Sequence, residues 1–198
     1  MIPRYSREKI SKIWSDESMF NYWLQVEIAT CEAWNELGVI PNKDLNKIQK
    51  ITFDIKKYNK YFEETKHDIV SFVKSISENI GDESRWIHHG ITSNDVKDTA
   101  LSLQLRSSIN HLLLEIDELM NSIKDKAIEE IETPCLGRSH GMHAEPMSFG
   151  AKLAIFWDEL YRHKSRLIET KDRVSICMIS GPVGSYATVS PDLEKKVA

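Results

Sequence analysis

The chain has 198 residues, 41% hydrophobic and 28% charged, with a formal net charge of −4 and a pI near 6.0. This balance excludes a disordered or fibrous chain, and the length is enough for one domain with a real core or one plus part of another. There is no basic excess of the kind that binds nucleic acid or an anionic membrane, and no run of 18 apolar residues to span one. Cys31, Cys135 and Cys177 are odd in number and lack CxxC spacing, so a disulfide framework is not expected and a reducing cytoplasm is. Residues 1–7 carry no apolar stretch, so no secretory signal is expected.

Read in chain order, nearly every periodic segment predicts helix. Asp16 is placed to cap a helix running to Leu37, stopped by Gly38, with Phe20, Trp23, Leu24, Cys31 and Trp34 on its apolar side. Pro41 opens a short helix to about Ile51, and another spans Asp54 to Phe62. Ile69, Phe72, Val73, Ile76 and Ile80 fall at helical spacing before Gly81. Leu101, Leu105, Ile109, Leu112, Ile116, Leu119 and Ile123 step by 4, 4, 3, 4, 3 and 4, a mean of about 3.67, with no Gly or Pro from Asn94 to Thr133. That predicts one long helix suited to a bundle. A second long helix follows Pro146, with Phe149, Leu153, Phe156, Leu160 and Leu167 as its stripe, reaching toward Met178. No strand is expected. Ser190-Pro191-Asp192 begins a further helix, so the chain reads as a fragment or as a chain needing partner subunits to cover its apolar surface. The expected fold is all-α, with an N-terminal helical domain over 1–91 and a central long-helix bundle domain over 92–198 that is cut short at its C-terminal end.

Three polar clusters stand just ahead of expected helices: His67-Asp68, Thr92-Ser93-Asn94-Asp95 and Ser139-His140-Gly141-Met142-His143-Ala144-Glu145. Helix N-termini present unpaired N–H groups and partial positive charge, so three brought together would bind anions and hold a histidine ready to exchange protons. Each cluster also has a plain structural reading. Thr92 to Asp95 is a capping box, Asp68 complements a dipole, and His88-His89 is a loop pair. His140, His143 and Glu145 hint at a metal, but no further ligand set has a recognised spacing. His67-Asp68 with His88, His89 or His140 alternatively suggests a helical metal-dependent phosphohydrolase. A non-catalytic helical assembly module is the remaining alternative.

Gly137-Arg138-Ser139-His140-Gly141-Met142-His143-Ala144-Glu145-Pro146 resembles the second signature block of the adenylosuccinate lyase branch of the fumarase/aspartase superfamily. Thr92-Ser93-Asn94-Asp95 resembles its first block. Arg4-Tyr5-Ser6, Lys66-His67-Asp68 and Ile179-Ser180-Gly181-Pro182-Val183-Gly184-Ser185-Tyr186-Ala187 are similar to further elements of that branch, so the likeness runs from end to end. Ser139, Met142 and Pro182 depart from the commoner Thr, Val and Ala without removing a proton carrier or a charge.

The resemblance implies β-elimination of fumarate from a succinylated purine nucleotide by general acid–base chemistry, with no metal or other cofactor. It implies His140 as the general acid and His67 as support for the acid and the substrate's anionic groups. It places Arg4 and Tyr5 on the nucleotide phosphate, Thr92 and Ser93 on the succinyl carboxylates, and Lys66, Asp68 and His88 in the same pocket. It also implies a homotetramer with sites shared between subunits. Another fumarate-releasing lyase of the superfamily is the nearest alternative. The third block, expected to carry the serine base, does not occur in these 198 residues, which alone are therefore expected to be inactive.

Overall fold

A computed structural model describes residues 2–78 and 80–198. The chain divides into two compact units: Met1–Arg106 with Ser175–Ala198, and Ser107–Val174. The first contains a 3-10 turn at Pro3–Tyr5, then α1 (Glu8–Ile13), α2 (Asp16–Glu36), α3 (Asn42–Ile48), α4 (Ile55–Thr65), α5 (Asp68–Ser77) and a 3-10 stretch at Gly81–Trp86. It also holds the start of α6 (Ser93–Glu129), which continues into the second unit, and the closing α8 (Pro191–Val197). The second unit adds β1 (Pro134–Ser139), β2 (Met142–Ser148) and α7 (Phe149–Val174).

The helical fold expected from periodicity is what is found. α6 is one unbroken helix of 37 residues, and Gly38 in the left-handed region (φ 78°) stops α2. The caps differ in detail. Ser15, not Asp16, caps α2 by accepting the N–H of Ser18 at 3.2 Å, because its oxygen reaches N3 where Asp16 is already inside the first turn. Pro41 is the cap of α3 rather than its first residue.

The core of the first unit is aromatic. Phe20 stacks on Phe53 (centroids 4.5 Å) and Phe72 (6.1 Å), meets Trp23 edge-on at 5.1 Å and tilts against Tyr58 at 4.3 Å. Phe72 is fully buried. Burying such a side chain contributes about 2–3 kcal/mol by area, and edge-to-face pairs add to it. This core fixes α2 against α5 and so sets where the N-terminus of α5 stands.

The second unit corrects the expectation of no strands. β1 and β2 form an antiparallel hairpin with Ser139 opposite Met142 and a register shift between Leu136 and Arg138. His140 (φ 53°) and Gly141 (φ 74°) make the two-residue turn. A turn with both central residues left-handed matches the right-handed twist of the strands, and Gly141 takes that conformation without steric cost. The third polar cluster therefore does not sit at a helix N-terminus. It occupies a hairpin tip, and α7 opens only at Phe149, capped by Ser148, whose Oγ accepts the N–H of Ala151 at 3.2 Å. α7 ends at Val174, short of Met178.

The hairpin is anchored at its base. The N–H of Phe149 reaches the Thr133 carbonyl at 2.8 Å, the N–H of Gly150 reaches Glu130 at 3.0 Å, and Ser148 Oγ donates to Ile131 at 2.6 Å. Lys164 on α7 bonds Asp117 on α6 at 2.5 Å. Within this unit Leu112, Leu114, Leu119, Ile155, Phe156 and Ile168 stay exposed. Of the stripe that announced α6, Leu101, Leu112 and Leu119 are exposed while Ile109 is buried. Among the described residues no helix is long and apolar enough to cross a membrane.

Candidate active site

In the first unit, His67 is the N-cap of α5. Its backbone is extended (φ −130°), and ring Nδ1 accepts the N–H of Val70 at 3.4 Å. The same atom lies 3.4 Å from Asp68 Oδ1. The two contacts exclude one another: the cap needs a bare Nδ1, and the pairing with Asp68 needs a proton there. A hydroxyl frame fixes this turn: Ser71 Oγ donates to the His67 carbonyl at 2.6 Å and lies 2.6 Å from Thr65 Oγ1, which accepts the N–H of His67 at 3.2 Å.

Asp68 joins this cap to α6. Its Oδ1 accepts the N–H of Ile69 at 2.7 Å, and its Oδ2 takes the ammonium of Lys97, one turn beyond Ser93. Burial resists ionisation of Asp68, but the hydrogen bonds from Lys97 and Ile69 and the charges of Lys97 and His67 outweigh it and hold its carboxyl below the ordinary value. Lys97 also sits over the Trp23 ring, 5.9 Å from the centroid.

The start of α6 is fixed by Asp95, which is fully buried. Its Oδ2 accepts the N–H of Thr92 at 2.9 Å and of Gly181 at 3.1 Å, and its Oδ1 accepts the N–H of Ser180 at 3.0 Å. The capping box expected here is present in its acidic half, and the same carboxylate ties the 180–181 loop to Thr92.

His88 stands just ahead of this segment, itself in the left-handed region (φ 60°). Glu27 on α2 grips it twice: Oε2 accepts the backbone N–H of His88 at 2.8 Å, and Oε1 lies 2.6 Å from ring Nδ1.

The structure therefore brings His67, Asp68, Lys97, Thr92 and Ser93 to adjoining helix starts within one unit, with His88 on the segment leading in. Lys66, left-handed at φ 51°, turns its ammonium to Glu63 at 2.6 Å. Arg4 lies over the ring of exposed Tyr5 at 4.7 Å. His140 belongs to the second unit, exposed at the hairpin tip with His143 and Glu145 in the following strand. Among the described residues no three His, Cys, Asp or Glu side chains group as a metal site.

Sequence reasoning missed Glu27 and Lys97. Glu27 lies on the apolar stripe of α2, seven residues after Phe20 and four before Cys31, and a carboxylate in that row was the signal. Lys97 follows Ser93 by four, the same helical face, but its partner is distant in sequence.

The profile of a family described as lyase matches residues 4–198. Over its whole length the chain is 44% identical to adenylosuccinate lyase of Bacillus subtilis (strain 168), covering 46% of that protein. It is also 44% identical to adenylosuccinate lyase of Aquifex aeolicus (strain VF5), with 98% of the chain aligned to 46% of the relative. The chain thus spans about half the length of these curated relatives. Among solved structures, fumarate lyase from Mesorhizobium sp. BNC1 superposes with a TM-score of 0.89 at 26% identity, over 98% of this chain and 48% of that one. The 3-carboxy-cis,cis-muconate lactonizing enzyme from Pseudomonas putida does so with a TM-score of 0.85 at 26% identity, over 98% of this chain and 47% of that one.

Proposed function

The chain belongs to the lyase family, and from that premise we propose that it is the N-terminal part of an enzyme that releases fumarate from adenylosuccinate, leaving AMP. The same chemistry would release fumarate from succinylaminoimidazole carboxamide ribotide, both steps serving purine biosynthesis. The observation that carries this reading is the 44% identity to two adenylosuccinate lyases, over the whole chain for one and 98% of it for the other.

In the proposed reaction a base removes a proton from the carbon next to a carboxylate, the C–N bond breaks, and its electron pair goes to the departing nitrogen. His140 gives that nitrogen its proton; a histidine at an exposed, fixed hairpin tip is suited to reach into a site completed by other parts of the assembly. Negative charge builds up on the succinyl carboxylate in the transition state. Thr92 and Ser93 at the start of α6 meet it with preorganised donors. His67, beside Asp68 at the start of α5, supports the acid and the anionic groups. Arg4 and Tyr5 hold the nucleotide phosphate, while Lys66, Asp68 and His88 line the same pocket. The base is assigned to a third block that these 198 residues do not contain. The balance needs no metal, nicotinamide or flavin.

We place the enzyme in the cytoplasm as a homotetramer with sites shared between subunits. We assign the central bundle to the long helices of the 92–198 portion and the outer helical domain to 1–91, with 92–106 and 175–198 packing into the unit that holds 1–91. The uncovered leucines and Phe156 of the second unit support this, since apolar faces of that extent need a partner.

The test is genetic. The complete gene should restore growth without purines to a strain lacking adenylosuccinate lyase, and the His140→Ala version should not. Abundant, folded protein that gives no rescue would point instead to another fumarate-releasing lyase.

A further inference from the structure

We propose that Glu27 is a positioning residue that fixes the tautomer of His88, placing the ring hydrogen on Nδ1 and leaving Nε2 as the nitrogen that meets substrate. The second half of this statement rests on the reading above, in which His88 lines the pocket.

The Glu27 side chain is 1% exposed and that of His88 22%. A carboxylate taken out of water is costly unless both oxygens are satisfied, and both oxygens of Glu27 are taken up by His88: the backbone N–H at 2.8 Å and ring Nδ1 at 2.6 Å. Satisfying the backbone N–H alone would need only one neutral acceptor. An ionised carboxylate has no hydrogen to give, so each contact requires a donor from His88, and Nδ1 must carry its hydrogen. The segment cannot swing to relieve this. Cys31 Sγ contacts the Trp86 carbonyl at 3.5 Å, Trp34 Nε1 donates to the His89 carbonyl at 3.1 Å, and Thr188 Oγ1 donates to the Gly90 carbonyl at 2.6 Å. His88 is thereby held in a left-handed conformation that L-residues other than glycine adopt at a cost, as functional positions often are. The remaining nitrogen is Nε2, bare in this tautomer and therefore the acceptor the ring offers to substrate.

Glu27→Gln separates this role from simple packing. Gln keeps the volume and one acceptor oxygen but replaces the other with an amide N–H2. The His88 backbone N–H is fixed and claims the oxygen, so the amide must donate to the ring and Nδ1 must be bare. The ring hydrogen then moves to Nε2. The experiment uses the complete protein labelled with 15N-histidine, His88 being assigned by the signal lost in His88→Phe. The wild-type ring should show the Nδ1–H pattern and Glu27→Gln the Nε2–H pattern. With adenylosuccinate, kcat should fall about 10–100-fold in Glu27→Gln while KM moves little. The double variant Glu27→Gln/His88→Phe should be no slower than His88→Phe alone. A wild-type His88 carrying its hydrogen on Nε2 overturns the proposal even if Glu27→Gln does not fold. So does a swapped tautomer with unchanged kcat. Wild-type protein inactive on adenylosuccinate but with the Nδ1–H pattern would refute the substrate reading and leave the tautomer assignment standing.

Discussion

Asp95 Oδ1 accepts the backbone N–H of Ser180 at 3.0 Å across 85 residues of sequence. Its other oxygen serves Gly181 and Thr92, and the side chain has no solvent exposure. Three backbone donors therefore converge on one carboxylate. In Asp95→Asn an amide N–H2 must face at least one of them, leaving a buried donor unpaired. The complete protein should lose about 2–3 kcal/mol, read as a lower thermal midpoint. A midpoint equal to wild type would remove Asp95 from its tying role.

Lys97 sets the ionisation of Asp68. The folded-state value of Asp68 is depressed, so its contribution to stability is complete above the unfolded-state value of about 3.9 and is lost as pH falls through the lower folded value. In Lys97→Met, the Asp68 carboxyl should titrate at higher pH than in wild type, seen by carboxyl NMR. The gain in stability between pH 2 and 5 should shrink, modestly, because the pair is partly exposed. Identical titration in the two proteins would show that Lys97 does not govern Asp68.

Burial, with the nearby charges of Glu27 and Glu32 adding to it, pushes the Cys31 thiol up to about 12. Its folded value is raised, so the associated stability is intact below the unfolded value and fades as pH rises from about 8.5 toward 12. Cys31 should resist iodoacetamide at pH 8 in the folded protein and react once urea unfolds it, as read by peptide mass. Rapid labelling of folded protein at Cys31 would contradict this environment.

His140→Ala in the complete protein should lower kcat by about 10²–10⁴-fold with helicity and assembly unchanged. Arg4→Ala should act on KM instead, since its guanidinium is assigned to ground-state phosphate binding. Unchanged turnover in the first, or unchanged KM in the second, would strike out the respective role.

Much of this was legible beforehand because helices are local. The steps from Leu101 to Ile123 announce α6, and Gly38 announces the end of α2. The hairpin was not. His140-Gly141 is a turn signal, but the strands around it carry Gly137 and Pro146 and only a shifted register, so no clean period of two exists. The clusters at His67 and Thr92 were readable as helix starts. Their union was not, because Asp68–Lys97, Glu27–His88 and Asp95–Ser180 join residues 29 to 85 positions apart through packing rather than spacing. The position of Glu27 in an apolar row was visible, but its partner was not.

The most direct measurement is fumarate release from adenylosuccinate by the complete protein in the presence of a chelator, alongside argininosuccinate. The account predicts rapid, stoichiometric formation of fumarate and AMP from adenylosuccinate and none from argininosuccinate. A folded, assembled enzyme that leaves adenylosuccinate intact while cleaving another succinyl amine, or that cleaves it only when a divalent metal is restored, would contradict it.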